Sequence, residues 1–431
     1  MNATAILSNS QANSNRIKFS FPSLPQNVGE ISVELNELLR GGILSNFGKY
    51  VRALEQRLTS MLGVKHVRTV PNATTGLMLA LSTLPAHSEV LVPSFTFPAT
   101  AHALVRANLR PRFVEAMADT FNIAVAEAEA KITSRTSAIL AVNVFGNPCQ
   151  IDDLVCLAQK YKLKLFFDSA AAFGSYYKNQ LLGACGDAEI FSMSGTKVLT
   201  AGEGGFIATN DEALAERLDC LRNYGYVADR SECPFVGFNG KLSELNAIIA
   251  HKSLDKLQAN LARRRELAGL YRQHLNEING LEFQKITPAG EVNYFTFALK
   301  IDPQKFGCSA TEAQTHLDKN GIETKRYFFP PLHKSGAYAA NAHEFLPNSE
   351  MLAESVLCLP MHSALKNEQV DRVCNALRDL HERSVRRLNG KHLSGPNSFR
   401  QNDAISKSFA PGFTEIAPSA STLAELQDKL I

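Results

Sequence analysis

Two ionisable residues sit where the chain could use them. Asp168 closes the apolar run KLKLFF and is followed by Ser169, Ala170, Ala171 and Ala172. Lys197 comes just after the run AEIFSM, within Ser194-Gly195-Thr196-Lys197, and precedes the turn-rich TAGEGG. A carboxylate at the tip of a buried strand costs desolvation energy unless a cation or strong donors meet it. Alone, Asp168 reads equally well as a helix N-cap or a structural ion pair, and Lys197 as a solvated surface lysine. Delivered to one sheet edge, the two fit together. A desolvated lysine loses its proton readily and becomes nucleophilic toward carbonyls.

That pair is what a pyridoxal cofactor requires: an imine-forming lysine, and an acid that keeps the ring nitrogen protonated so the ring can accept carbanion charge. Two further segments serve the same ligand. Pro71-Asn72-Ala73-Thr74-Thr75-Gly76 leads from HVRTV into the helical run LMLALSTL, and small, hydroxylated residues opening a helix offer N–H groups and a favourable dipole to a phosphate. Ser94-Phe95-Thr96-Phe97 follows EVLVP, where an aromatic could cover a planar ring, although such a residue is more often core. A nicotinamide-dependent dehydrogenase is disfavoured, since no GxGxxG follows the first strand.

The elements that must position these residues follow from hydrophobic periodicity. Val51, Leu54, Leu58 and Leu62 recur at helical spacing and predict a helix over 49–62. Short β-rich runs at 66–70, 89–93, 111–115, 137–144, 162–167, 188–193 and 205–209 then alternate mostly with helical stretches at 74–82, 97–107 and 150–160. Such alternation predicts a mostly parallel sheet covered by helices, whose ligands bind beyond the carboxyl ends of the strands. Residues 26–240 are expected to form this large α/β domain, and 241–276 a long linking helical segment. Residues 277–383 are expected to form a small α+β domain with strands at LEFQ, YFTFALKI and ETKRYF and helices over 310–319 and 367–382. Residues 1–25 read as a loose polar arm and 384–431 as a flexible tail, with a short helix at TLAELQDKL.

Composition narrows the function classes. The 431 residues include 45 Lys plus Arg and 42 Asp plus Glu, and so balanced a charge argues against nucleic acid as a partner. No apolar run approaches the ~20 residues that cross a bilayer, and the N-terminus lacks a secretory pattern. Eight scattered cysteines without a CxxC pair suit reduced thiols in a cytoplasmic enzyme. The eleven histidines form no HExxH, so no metal site is expected.

In order along the chain, LSNFGKYVRALEQRL, VPNATTGLMLAL, EVLVPSFTFPATAHAL, VNVFGNPCQIDDL, LFFDSAAAFGS, GDAEIFSMSGTKVLTAGEGGFIATND, LRNYGY, GFNGKLSELNAIIA, TKRYFFPPLHKSGAY and VLCLPMH resemble the pyridoxal-phosphate-dependent sugar aminotransferases of the DegT/DnrJ/EryC1/StrS family. The resemblance spans about Ile17 to Leu380. It implies the fold-type-I, aspartate-aminotransferase-like architecture. It also implies amino transfer from an amino acid, L-glutamate by analogy, to a keto group of a nucleotide-linked deoxy sugar, with short forms such as LSNFG and FGNPC looking most like 4-keto-sugar enzymes. Lys197 resembles the lysine that holds pyridoxal phosphate and moves the proton, and Asp168 the partner of the ring nitrogen. Thr74, Thr75 and Ser192 match phosphate-binding positions, with Ala73 in the same helix opening, and Phe97 matches the aromatic that stacks on the ring. Asn239 resembles an asparagine that reaches a neighbouring subunit's cofactor, which implies a homodimer with shared sites.

Three positions depart from the family pattern. Ala171 stands where Gln or His usually bonds the ring hydroxyl, Lys241 where many members have Arg, and Asn143 where many have His. One lost hydrogen bond costs ~0.5–1.5 kcal/mol, which tunes binding without abolishing chemistry. Family members that dehydrate sugars replace the lysine with His, so Lys197 favours transamination. A degenerate member that binds the cofactor without turnover, and a dehydratase or other pyridoxal-phosphate enzyme, are the alternatives.

Overall fold

The computed structural model describes residues 16–22 and 28–393. Two helices, Val28–Gly41 (α1) and Lys49–Leu62 (α2), lead into the large unit. There follow His66–Val70 (β1), Ala73–Leu81 (α3), Glu89–Pro93 (β2), Pro98–Arg106 (α4), Arg110–Val114 (β3), Val125–Ala130 (α5), Thr136–Val142 (β4), Ile151–Tyr161 (α6) and Lys164–Asp168 (β5). The short Tyr176–Tyr177 (β6) and Gln180–Leu181 (β7) precede Ala188–Ser192 (β8), Gly205–Thr209 (β9) and Glu212–Leu221 (α7). Seven strands pair in the order β1-β9-β8-β5-β4-β2-β3. β8, β5, β4, β2 and β3 are mutually parallel, and β9 runs against both of its neighbours. β9 therefore begins, at Gly205, on the edge where the other strands end.

Successive side chains of a strand point to opposite faces, and this divides the core. Phe167, Phe191 and Phe206 pack with α2 and α6 on one face, while Phe166, Ile190 and Ile207 pack with α3, α4 and α7 on the other. Strands buried on both faces read as apolar runs, which is why they were legible.

Next come Glu244–Asp255 (α8), packed in the core beside α2, and Leu257–Leu275 (α9), whose second half enters the smaller core. Leu281–Phe283 (β10), Gly290–Glu291 (β11, paired with β6), Phe297–Ile301 (β12), Pro303–Phe306 (α10) and Ala310–Lys319 (α11) follow. Pro347–Ser355 (α12), Val356–Leu359 (β13) and Asn367–Leu393 (α13) complete the chain as described. β10, β12 and β13 form an antiparallel sheet packed on α9, α11 and α13.

Four expectations are corrected. The 241–276 segment is two helices, separated at Lys256, whose φ of −98° and ψ of −1° interrupt the helix; Gly269 lies inside α9 without breaking it. ETKRYF makes only an isolated bridge, Lys325 to Cys358, and the third small-sheet strand is Val356–Leu359. Its last two residues, Tyr327 and Phe328, line the cavity instead of extending the ladder. Within the expected arm, Ile17 is buried in the small core, its N–H donates to Gly321 O at 2.8 Å, and Arg16 pairs with Asp318 and Glu323. The tail does not begin at 384: α13 continues to Leu393, and Ser384 is buried against Gly307. The helix expected at TLAELQDKL lies outside the described residues.

Candidate active site

The strand ends of β1, β2, β4, β5 and β8 open onto one cavity of about 290 Å³. Lys197, Asp168, Ala73, Thr74, Phe97 and Ser192 all line it; Thr75 and Asn239 lie outside. Aromatic walls come from Phe145, Phe295, Tyr327 and Phe328.

Asp168 ends β5 and is buried. Its Oδ2 accepts from Thr100 Oγ1 at 2.7 Å and its Oδ1 from the Ala170 N–H at 3.1 Å. Burial pushes its carboxyl above the usual range, opposed first by the Thr100 hydroxyl, then by the Ala170 N–H and the Lys197 charge. Burial pulls the Lys197 ammonium down to about 8, against the attraction of Asp168. Lys197 Nζ stands 4.2 Å from the Phe295 ring centroid, over its face. An ammonium over a ring face gains electrostatic attraction, so Phe295 is a positional partner for the lysine.

α3 opens onto the cavity because Asn72 is extended and caps it, Oδ1 taking the Thr75 N–H at 2.8 Å. That bond occupies Thr75, and leaves Ala73 and Thr74 to face the cavity. Close approach of this helix end depends on β9: a Cβ at Gly205 would lie 2.7 Å from Ala73 N. Phe97 caps α4, is 56% exposed, and meets Phe328 edge-on at 6.5 Å.

The departures from the family pattern have structural explanations. Ala171 puts a small side chain on the cavity wall, and its carbonyl accepts from Asn293 Nδ2 at 2.8 Å. Asn143 turns inward, Nδ2 donating to Ser169 Oγ at 2.7 Å and Oδ1 accepting the Cys149 N–H at 2.8 Å. Ser169 in turn bonds Glu189, whose carboxyl burial pushes up to about 7. Lys241 Nζ is 3.4 Å from Asn223 Oδ1 and 4.3 Å from the Tyr224 ring centroid. Burial and the nearby Arg230 lower its pKa.

Sequence reasoning missed Thr96, Thr100, Phe145, Phe295, Tyr327 and Phe328. PAT after the second strand was the available signal for Thr100. Nothing in the sequence brings residues 295 and 327–328 to the edge of a sheet that ends a hundred residues earlier.

A lysine and an aspartate at one cavity, on a seven-stranded, mostly parallel sheet joined to a smaller α+β unit, define a fold-type-I pyridoxal-phosphate-dependent transferase. A buried acid with two donors, an easily neutralised lysine and an open helix N-terminus fit that cofactor's ring nitrogen, aldehyde and phosphate. The chain belongs to the DegT/DnrJ/EryC1/StrS aminotransferase family, whose model matches residues 25–378. It is 33% identical over 362 residues to dTDP-4-amino-4,6-dideoxy-D-glucose transaminase of Shigella dysenteriae, covering 83% of this chain and 97% of that protein. It is likewise 33% identical to GDP-perosamine synthase of Caulobacter vibrioides, covering 84% and 97%. The crystal structure of DesI in the presence of its TDP-sugar product superposes with a TM-score of 0.82 at 34% identity, covering 88% of this chain and 96% of that one. The protein is a pyridoxal-phosphate-dependent aminotransferase.

Proposed function

We propose that the acceptor is a keto group on a nucleotide-linked deoxy sugar and the donor an amino acid, L-glutamate by family analogy. The carrying observation is that Lys197 and Asp168 share one cavity, in a chain similar to transaminases named for a dTDP-linked 4-amino-4,6-dideoxy sugar. The cofactor, when bound, supplies the electron sink for a carbanion at the carbon that exchanges its amine. Asp168 holds the ring nitrogen's proton. Lys197 would hold the cofactor's aldehyde through its amine and, with its pKa lowered by burial to about 8, would take up and return the proton at the substrate carbon. Ala73 and Thr74 at the α3 end, with Ser192, hold the phosphate, with Thr75 fixing the turn through its cap bond. Phe97 covers the ring, and the aromatic walls exclude water.

The same reading makes the enzyme a homodimer. Asn239 is exposed and outside its own chain's cavity, on a loop that also exposes Tyr224, Tyr226 and Val236, which supports its reaching the cavity of a second copy. Eight free cysteines support a cytoplasmic setting. Among the described residues no helix is long and apolar enough to cross a membrane, and no cluster of metal ligands occurs.

The test is direct. Protein loaded with pyridoxal phosphate should be labelled at Lys197 by borohydride, and should aminate a nucleotide 4-keto-6-deoxy sugar only when an amino-acid donor is present. Labelling without amination of any nucleotide keto sugar would leave a cofactor-binding protein, and no labelling would reject the chemistry.

A further inference from the structure

Two hydroxyls form a chain that ends on Asp168. Thr100 Oγ1 donates to Asp168 Oδ2 at 2.7 Å, and Thr96 Oγ1 lies 3.0 Å from Thr100 Oγ1. A threonine hydroxyl carries one hydrogen. Thr100 spends its hydrogen on the carboxylate, so Thr96 must donate to Thr100, and both dipoles point toward Asp168. Aligned hydrogen bonds in a low-dielectric interior strengthen one another, and both threonines are buried.

The placement is not ordinary helix chemistry. Thr100 is in the first turn of α4, where a threonine commonly turns its hydroxyl to a backbone carbonyl one turn earlier. Here it reaches across to the end of β5, sixty-eight positions away. Its backbone is set by Pro98, which starts the helix, and by its N–H donating to Phe97 O at 3.1 Å. The loop after β2 and the first turn of α4 thereby present one polar chain to the acid, with Thr96 also lining the cavity.

Resting on the functional reading above, we infer that Thr100 is a positioning residue for the cofactor ring, keeping Asp168 ionised and aimed at the ring nitrogen, with Thr96 reinforcing it. Burial drives Asp168 toward its neutral form, and a neutral acid cannot hold a protonated ring nitrogen by charge. Among the described residues Lys197 is the one charged group that acts on Asp168. It contributes charge only while its amine is free and protonated. The hydroxyl chain, the larger, and the Ala170 N–H are the contributions that persist when that amine is engaged.

The experiment follows pyridoxal phosphate binding to apoprotein by equilibrium dialysis across pH. Thr100→Val, which keeps shape and removes the hydroxyl, should weaken binding roughly tenfold at neutral pH and move the acid limb of the profile up by about one pH unit. Thr100→Ser should restore the wild-type profile, and Thr96→Val should move the limb in the same direction by less. In an Asp168→Asn background, Thr100→Val should add nothing, because its effect passes through the acid. A folded Thr100→Val with the wild-type profile, or an equal loss in the Asp168→Asn background, overturns the inference. Should Thr100→Val not fold, the limb in Thr96→Val decides: a shift supports the chain and an unmoved limb rejects it. If wild-type protein binds no pyridoxal phosphate, the functional reading fails instead. The chain is then judged on urea melts of apoprotein, where removing the Thr100 hydroxyl should extend the loss of stability caused by Asp168 ionisation to higher pH; unchanged melts reject it.

Discussion

Burial moves both Lys197 and Asp168 toward their neutral forms. The lysine's pKa of about 8 means that burying its charge costs stability wherever it stays protonated. The native state binds fewer protons than the unfolded chain between about 8 and the ordinary lysine value, so its contribution to stability rises with pH across that window. Lys197→Met should therefore stabilise apoprotein by about 1–3 kcal/mol at pH 7, with a gain that shrinks as pH passes 8; urea melts at two pH values check this. The same variant should bind no cofactor covalently. Asp168→Asn keeps the shape of the acid but loses its charge, and should weaken pyridoxal phosphate binding roughly 10- to 100-fold. Both residues were legible because each follows a strand that announces itself. Their partners were less so: the PAT after the second strand marks Thr100 only as a threonine in a helical first turn, and its bond to Asp168 exists only once α4 and β5 meet.

At the scale of elements, the cavity is made by where strands stop. Gly205 shows how tightly: a methyl there would meet Ala73 N, Asn72 C and Phe191 O, all backbone atoms within 2.8 Å. Gly205→Ala should cost about 1–3 kcal/mol and loosen phosphate binding by displacing the α3 end, read by a thermal melt and by cofactor dialysis. Leu54→Ala, in the fully buried seam of α2, should cost ~2–5 kcal/mol in urea denaturation and leave cofactor affinity in the folded fraction unchanged. The central sheet strands were readable since burial on both faces leaves a largely apolar run, whereas HVRTV and RPRFV at the two edges carry Arg and partly exposed positions. The small unit was harder. ETKRYF has strand composition, yet its Tyr327 and Phe328 go to the cavity wall, and VLCL takes the place beside β12. Periodicity records which residues are buried; it does not record which of two apolar runs wins a pairing.

For the whole molecule, the decisive prediction concerns assembly. If Asn239 completes a neighbouring copy's cavity, Lys197→Ala and Asn239→Ala proteins should each be impaired alone and regain activity when unfolded together and refolded as hybrids. One of the two sites in a hybrid dimer then carries both intact residues. No recovery would place Asn239 outside the reaction. Motif order along the chain was enough to place the sheet and, through the family resemblance, the reaction class, and it put Lys197 and Asp168 at strand ends that share one cavity. Tertiary structure alone decided that Ile17 belongs to the small core, that residues 295 and 327–328 wall the cavity, and that Thr75 lies outside the cavity while Thr74 lines it. Contacts between segments hundreds of residues apart leave no periodic trace in either, since each side chain's type is compatible with many neighbours and only packing selects one.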